Sequence, residues 1–435
     1  QSHFSHVITK LRERQLGDGG FSFWPGQHSS AEYPSIYVMH FLIEARDTGF
    51  PVPKDMMQRG QAYLTDYVGR GSSKLSDGRS NSQFDVLSEA RDRANAIYLL
   101  TRLGVVTTNY LVDLQERLEK DFKEDRKKDW RKDLLASYMA ATYALLQKED
   151  DANRLIEGYE IGAETQQQFD DFHSYLAQDA QHLYLLSKHF EGLARSLPGD
   201  NVLAITERIF KGEYNTISSA YSILALGAYS KLVLEKPLNE NIVFAAQVGG
   251  KNVDLAASAT PFLTAKYKTD VEAVSVKGQS PLFFLNVQSG FDKDLPQQPV
   301  RNNIEIIREF LDENGTEITE FEQGKEITVR LKVRALGGTG GRTLTNIAVV
   351  DLLPGGFEVI RSSVERTAYN WRADYVDVRE DRVVYYGDFD SSLRELTYKV
   401  KLTAAGSFVI PPSFAESMYD RSVRAISKAG VFTVN

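Results

Sequence analysis

The spacing of apolar residues changes period once along this chain, and that change constrains the fold more than any other feature. From about residue 33 to residue 234 the apolar positions recur at helical spacing. After Glu235-Lys236-Pro237 they alternate, residue in and residue out. The first pattern has the period of an α-helix and the second that of a half-buried β-strand. Helices grouped in one half and strands in the other imply separate layers, not alternating βαβ units.

Two kinds of helix are predicted. Residues 36–45, 96–103, 136–146, 181–190 and 220–234 (AYSILALGAYSKLVL) are apolar nearly all round and rich in small side chains. Such helices must be surrounded by others. Residues 111–130 instead carry a narrow stripe, Leu111, Leu114, Leu118 and Phe122, among charges, and should lie on the outside. The buried kind recurs about every 35 to 60 residues, as in stacked helix pairs. Buried helices inside and striped helices outside describe an α/α toroid, with an open solenoid as the alternative.

In the second half, Gly249-Gly250 sits between two short β-type runs, a hairpin signal, and residues 273–287 supply two more strands around Gly278. A polar, Pro-containing link follows at residues 292–299. Beyond it, Ile327, Val329, Leu331 and Val333 should point inward, as should Leu396, Tyr398, Val400 and Leu402. With turns at Asn314-Gly315 and Pro354-Gly355-Gly356, this part reads as an immunoglobulin-like β-sandwich.

A length of 435 residues suggests two to three domains. The net charge of −8 repels phosphate backbones, and no basic stripe counters it, so nucleic acid is not an expected partner. The chain has no cysteine, which excludes disulfides, thiolate metal sites and a cysteine nucleophile. No apolar run approaches the roughly 20 residues needed to span a bilayer. Residues 1–14 (QSHFSHVITKLRER) open inside an amphipathic pattern, without an initiator methionine or a signal layout. They read as the start of a piece of a longer protein.

Three segments stand out for chemistry. Residues 17–26 (GDGGFSFWPG) combine glycines with Phe21, Phe23 and Trp24. A loop sealing a helix end is the first expectation, and an aromatic wall beside a reactive centre the second. Residues 168–190 collect Asp170, Asp171, His173, Asp179, His182 and His189. His182 and His189 are seven apart with no third ligand at zinc spacing, so packing histidines and solvated carboxylates are expected, and no metal or cofactor. Residues 408–419 (FVIPPSFAESMY) run from a strand through two prolines to Met418 and Tyr419. Because prolines end strand pairing, the following stretch is predicted to be a loop at one end of the sandwich. Met418 and Tyr419 there either close the core or press an apolar tip on a neighbouring domain.

The sequence resembles the C-terminal part of bacterial alpha-2-macroglobulins along its whole length. The most specific marks are GDGGFSFWPG (17–26), AQHLYLLSKHF (180–190), FEQGKEITVRLKV (321–333), DLLPGGFEV (351–359) and AESMYD (415–420). The resemblance implies a thioester-domain toroid lacking its beginning at residues 1–237. It implies the second half of a CUB domain at 238–297 and a terminal macroglobulin, receptor-binding-like sandwich at 298–435. Proteins of this family trap proteases after bait cleavage, when an exposed Cys–Gln thioester acylates the attacker. They are typically periplasmic lipoproteins anchored at the inner membrane, associated with a peptidoglycan-synthesising penicillin-binding protein, and they are thought to defend the cell. An inhibitor and not an enzyme is therefore implied, with target proteases as partners and membrane attachment only through a lipid anchor outside this sequence.

The family's Cys-x-Glu-Gln motif is absent, and the nearest stretch, Glu320-Phe321-Glu322-Gln323, has glutamate in place of cysteine. What the resemblance leaves to this chain is shielding. An activated acyl group survives only while water is kept away. Met418 and Tyr419 match the terminal-domain part of the family's shield, and Trp24 is a candidate from the toroid side. The competing readings are an α/α-toroid enzyme of terpene-cyclase or polysaccharide-lyase type with an appended β module, and a non-inhibitory adhesion or scaffold protein. The first would need an acidic or His/Tyr cluster in the toroid cavity. Asp-x-Asp-Asp and Asp-Asp-x-x-Asp clusters do not occur.

Overall fold

The computed structural model describes residues 2–70, 83–122, 129–163, 172–233, 242–258, 263–268, 270–278, 286–287, 294–337 and 343–435. It divides into two compact units, Gln1–Tyr229 with Leu295–Asn435, and Ser230–Asp294.

Within the first unit, eleven α-helices occur among the described residues: α1 Ser2–Arg12, α2 Glu32–Asp47, α3 Lys54–Gly69, α4 Gln83–Arg102, α5 Thr108–Asp121, α6 Leu134–Leu145, α7 Glu149–Ile156, α8 Tyr175–His189, α9 Glu191–Arg195, α10 Gly199–Phe210 and α11 Thr216–Val233, the last running on past Tyr229. The all-round apolar helices form an inner ring. Helix α2 packs on α4, α4 on α6, and α6 on α8. Helix α11 reaches back to α2 through Tyr221, 5.7 Å from the Tyr37 ring and 5.9 Å from His40. Helix α3 packs outside α2 and α4, α5 outside α4, α7 outside α6 and α10 outside α8.

Local chemistry explains these elements. Helix α6 (LLASYMAATYAL) has only two residues that are not buried, so both its faces meet protein. Its N-terminus is capped by Asp133, whose Oδ1 accepts the Leu135 N–H. Helix α7 opens with Glu149, Asp150 and Asp151, which suit the positive end of its dipole. The stripe Leu111, Leu114, Leu118 is fully buried beneath α5. That helix stops at Asp121, short of the predicted 130; Trp130 instead starts a 3₁₀ turn capped by Asp129 and is buried.

The sandwich packs two antiparallel sheets. One has the order Phe357–Val359, Arg394–Leu402, Glu326–Ala335, Ile304–Leu311. The other runs Tyr375–Val378, Arg382–Phe389, Leu344–Leu352, Ser413–Ser417, Arg424–Ile426, Val300–Asn302. The predicted inward residues of strands 326–335 and 394–402 are all 5% exposed or less, so the alternation placed the core correctly. A buried ion pair joins the sheets: Arg308 reaches Asp351 at 2.6 Å, and Asp351 also accepts the hydroxyls of Ser413 and Tyr398.

One expectation fails here. After Pro411-Pro412 the chain is not a loop, because Ser413–Ser417 is a strand inside the six-stranded sheet. The prolines interrupt pairing only long enough to move the chain from the Gly406–Ile410 hairpin strand into the other sheet.

In the second unit, Val243–Val248 pairs with Lys251–Leu255 across Gly249-Gly250, and with Ala273–Lys277 on its other side. Both glycines have positive φ, +56° and +74°, the geometry of a two-residue hairpin turn. The second strand expected after Gly278 falls largely on residues 279–285, outside the described residues. No helix among the described residues is long and apolar enough to cross a membrane.

Candidate functional site

The glycine-aromatic loop between α1 and α2 divides its aromatics between two jobs. Phe21 turns inward and is buried, with β-bridges to Gln15 and Ala31 and its N–H donated to Ser35 Oγ at 2.8 Å. The glycines are needed for closeness: a Cβ on Gly19 (φ +90°) would lie 2.2 Å from the Arg59 carbonyl oxygen, and one on Gly20 would lie 2.5 Å from the Tyr63 ring. So tightly seated, the loop projects Phe23 and Trp24 outward. The Ser22 hydroxyl donates to the Trp24 carbonyl at 2.8 Å, and the Trp24 N–H reaches Gln27 Oε1 at 3.2 Å, which hold the tip.

Trp24 lies on the sandwich. Its ring stacks on Tyr375 at 4.9 Å with planes 4° apart, and meets Tyr386 at 4.3 Å. Tyr375 and Tyr386 are register partners on adjacent strands, so their rings form one platform on the outer sheet face.

Tyr419 forms the second contact. It sits in the turn closing the hairpin of Ser413–Ser417 and Arg424–Ile426, where the Ser417 hydroxyl accepts the N–H groups of Tyr419 and Asp420. The Tyr419 ring meets Phe172 edge-on at 5.4 Å. Phe172 in turn stacks on Tyr33 of α2 at 4.3 Å and on Phe23 at 6.0 Å. The Tyr419 carbonyl accepts from Asn215 Nδ2 at 3.5 Å, and the Arg421 guanidinium covers the Tyr214 ring at 4.6 Å. Met418 is half-buried; its N–H donates to the Asn346 carbonyl, and it lines a recess with Tyr214, Asn215 and Arg421. The structure thus brings all three predicted residues to one aromatic seam between ring and sandwich.

Sequence reading missed the other half of every contact: Phe172, Tyr33, Tyr214, Arg421, Tyr375 and Tyr386. One signal existed for Tyr386. In the strand Arg382–Phe389 (RVVYYGDF), Tyr385 faces the core, so its neighbour must place an aromatic on the wet face.

The acidic and histidine residues near α8 do not converge. Asp170 and Asp171 lie outside the described residues. His173 Nε2 is 3.5 Å from Asp92 Oδ1. Asp179 accepts the Tyr159 hydroxyl at 2.8 Å and faces Arg208 at 3.7 Å; burial raises its carboxyl to about 6 against the pull of those partners. His182 bonds Ser137 at 2.8 Å and is lowered to about 3 by burial, while His189 bonds the Tyr98 hydroxyl. Each side chain is held by a different neighbour, and among the described residues no three such groups gather as a metal site.

A helical toroid clasped by a sandwich through an aromatic seam defines a multidomain protein in which the β module caps the ring. Residues 304–421 match the family model of the bacterial alpha-2-macroglobulin MG10 domain. An alpha-2-macroglobulin homolog from Yersinia pestis is 31% identical over 98% of this chain and 22% of its own length. The alpha-2-macroglobulin of Rickettsia conorii is 30% identical over 96% of this chain and 21% of its own. The native conformation of Escherichia coli alpha-2-macroglobulin superposes with a TM-score of 0.71, at 20% identity, over 98% of this chain and 27% of that one. The chain belongs to the bacterial alpha-2-macroglobulins, matching their C-terminal part. It spans about a fifth of the length of these curated relatives.

Proposed function

We propose that this chain is the shielding and relay part of a bacterial protease trap. In this reading, protease cleavage elsewhere in the longer protein triggers a rearrangement, and a thioester outside this sequence then acylates the attacker. The chain itself performs no catalysis. Its seam keeps the acyl group dry until the ring and the sandwich part. The toroid, the strands of residues 238–297 and the sandwich of residues 298–435 then take the places of thioester domain, CUB remainder and terminal macroglobulin domain. A periplasmic, lipid-anchored setting beside a penicillin-binding protein belongs to the same proposal.

The observation that carries this reading is the Tyr419 ring seated edge-on against Phe172. An aromatic cap of this kind excludes water through apolar area alone and leaves no polar group to be satisfied on separation. The test uses the complete parent protein and methylamine, a small amine that consumes exposed thioesters. Tyr419→Ala and Met418→Ala should each speed the reaction at least severalfold. Unchanged rates in both variants would overturn the shielding role while leaving the fold intact.

A further inference from the structure

The inner ring is not apolar at its axis. Side chains from three of its helices, Tyr33 and His40 of α2, Asn95 of α4 and Tyr221 of α11, converge there. The hydroxyls of Tyr33 and Tyr221, Asn95 Oδ1 and His40 Nε2 are shut away from solvent, and among the described residues none completes a hydrogen bond to a protein group. Packing does not scatter them: Tyr221 contacts the rings of both Tyr37 and His40, and its hydroxyl feels Tyr33 and Asn95 beside it. His40, Asn95 and Tyr221 are each 5% exposed or less.

Buried polar atoms are nearly always satisfied, and four unpaired ones on facing helices far exceed what a folded interior normally carries. Neighbouring sites in the same ring show the usual solution. The Tyr138 hydroxyl donates to Gln181, Tyr98 bonds His189, and Ser137 bonds His182. The axial group has three hydroxyl or imidazole functions, each able to donate or accept, and one amide acceptor. That set suits a neutral hydroxylic molecule with both donor and acceptor capacity, and its components carry no formal charge to recruit an ion.

We propose that the ring axis is a buried binding site for ordered water, held between Tyr33, Asn95, Tyr221 and His40. The bound water joins α2, α4 and α11, which come from distant parts of the sequence, and so closes the ring where apolar packing alone does not. The site lies directly beneath the seam. The Tyr33 ring carries Phe172, and Phe172 carries Tyr419. The inference is independent of the protease-trap reading, since it concerns only the interior of the ring.

Two measurements on the 435-residue chain test it. The first is a crystal structure fine enough to place water, and the second is helical unfolding followed for Tyr221→Phe, Asn95→Leu and the double variant, with Tyr33→Phe as an independent check. Bridging water predicts density within hydrogen-bond distance of at least three of the four atoms. It also predicts that each single variant lowers Tm by about 2–4 °C, and that the double variant falls by less than the sum because both lose the same bridge. Direct protein–protein bonds with no density between them, or a Tm that rises in Tyr221→Phe because an unpaired hydroxyl has been removed, would overturn it.

Discussion

Trp24, in a loop between the first two helices, lies flat against Tyr375 of the sandwich, their ring planes 4° apart. Tyr386 closes on the same indole from the neighbouring strand. Aromatic pairs of this kind contribute about 0.5–1.5 kcal/mol each beyond their buried area. Trp24→Ala should therefore remove about 2–3 kcal/mol of coupling between ring and sandwich. The readout is thermal unfolding followed separately by helical and by aromatic circular dichroism. The two transitions should coincide in the parent chain and separate in the variant. Coincident, unshifted transitions in Trp24→Ala would show that the seam does not couple them.

The Arg308–Asp351 pair is almost fully enclosed, with side chains 4% and 1% exposed. Removing one member strands the other charge in the core, a change that costs about 3–5 kcal/mol. Asp351→Leu should lower sandwich stability by that amount in urea titrations. Combining it with Arg308→Met should restore most of the loss. A double variant as unstable as the single one would mean that the pair's worth lies elsewhere, in its bonds to Ser413 and Tyr398.

Three buried groups set the acid response of the ring. Burial lowers His40 to about 4, with Glu44 opposing and Arg102 and Lys188 assisting, and lowers His182 to about 3. Between those values and about 6.5 the unfolded chain binds a proton at each site and the folded one does not, so both histidines weaken the fold as pH drops. Asp179, raised to about 6, does the reverse between about 6 and 3.8. Near pH 5 the net difference is one proton, or about 1.4 kcal/mol lost per pH unit. Asp179→Asn should roughly double that slope, and His182→Leu should bring it near zero. Denaturation at several pH values gives the slopes directly.

Gly19 combines positive φ with a Cβ position only 2.2 Å from the Arg59 carbonyl oxygen, which is backbone and cannot swing aside. Gly19→Ala should cost about 3 kcal/mol through strain and displacement of the loop. Because the displaced loop carries Trp24, limited proteolysis between ring and sandwich should speed up as well. Gly17, which has open space around its Cβ, should tolerate alanine and serves as the control.

Much of the architecture was readable before any coordinates. Helix α6 shows why: an apolar stretch with no polar face has no stable place except inside other helices. Strand Glu326–Ala335 shows the same for β structure, since its strict alternation leaves only one possible inner face. Boundaries were less legible. Helix α5 ends at Asp121 although its charged sequence continues, because the apolar stripe that anchors it runs out at Phe122. The strand after Pro411-Pro412 was missed because proline reports only that its own N–H is lost, not where the chain goes next. The seam was half legible. Trp24, Met418 and Tyr419 announced themselves as large side chains in turn sequences. Phe172, Tyr375 and Tyr386 did not, since their importance arises only when residues far apart in the chain are brought face to face.

The position of Tyr419 has a mechanical consequence. Its turn closes a hairpin whose strand Ser413–Ser417 is flanked on both sides, by Leu344–Leu352 and by Arg424–Ile426, and the Met418 N–H is fastened to Asn346. Such a turn has no slack with which to curl away by itself. Lifting the tyrosine from Phe172 would require the entire β module to travel with it, so separation at the seam is expected to be all-or-none.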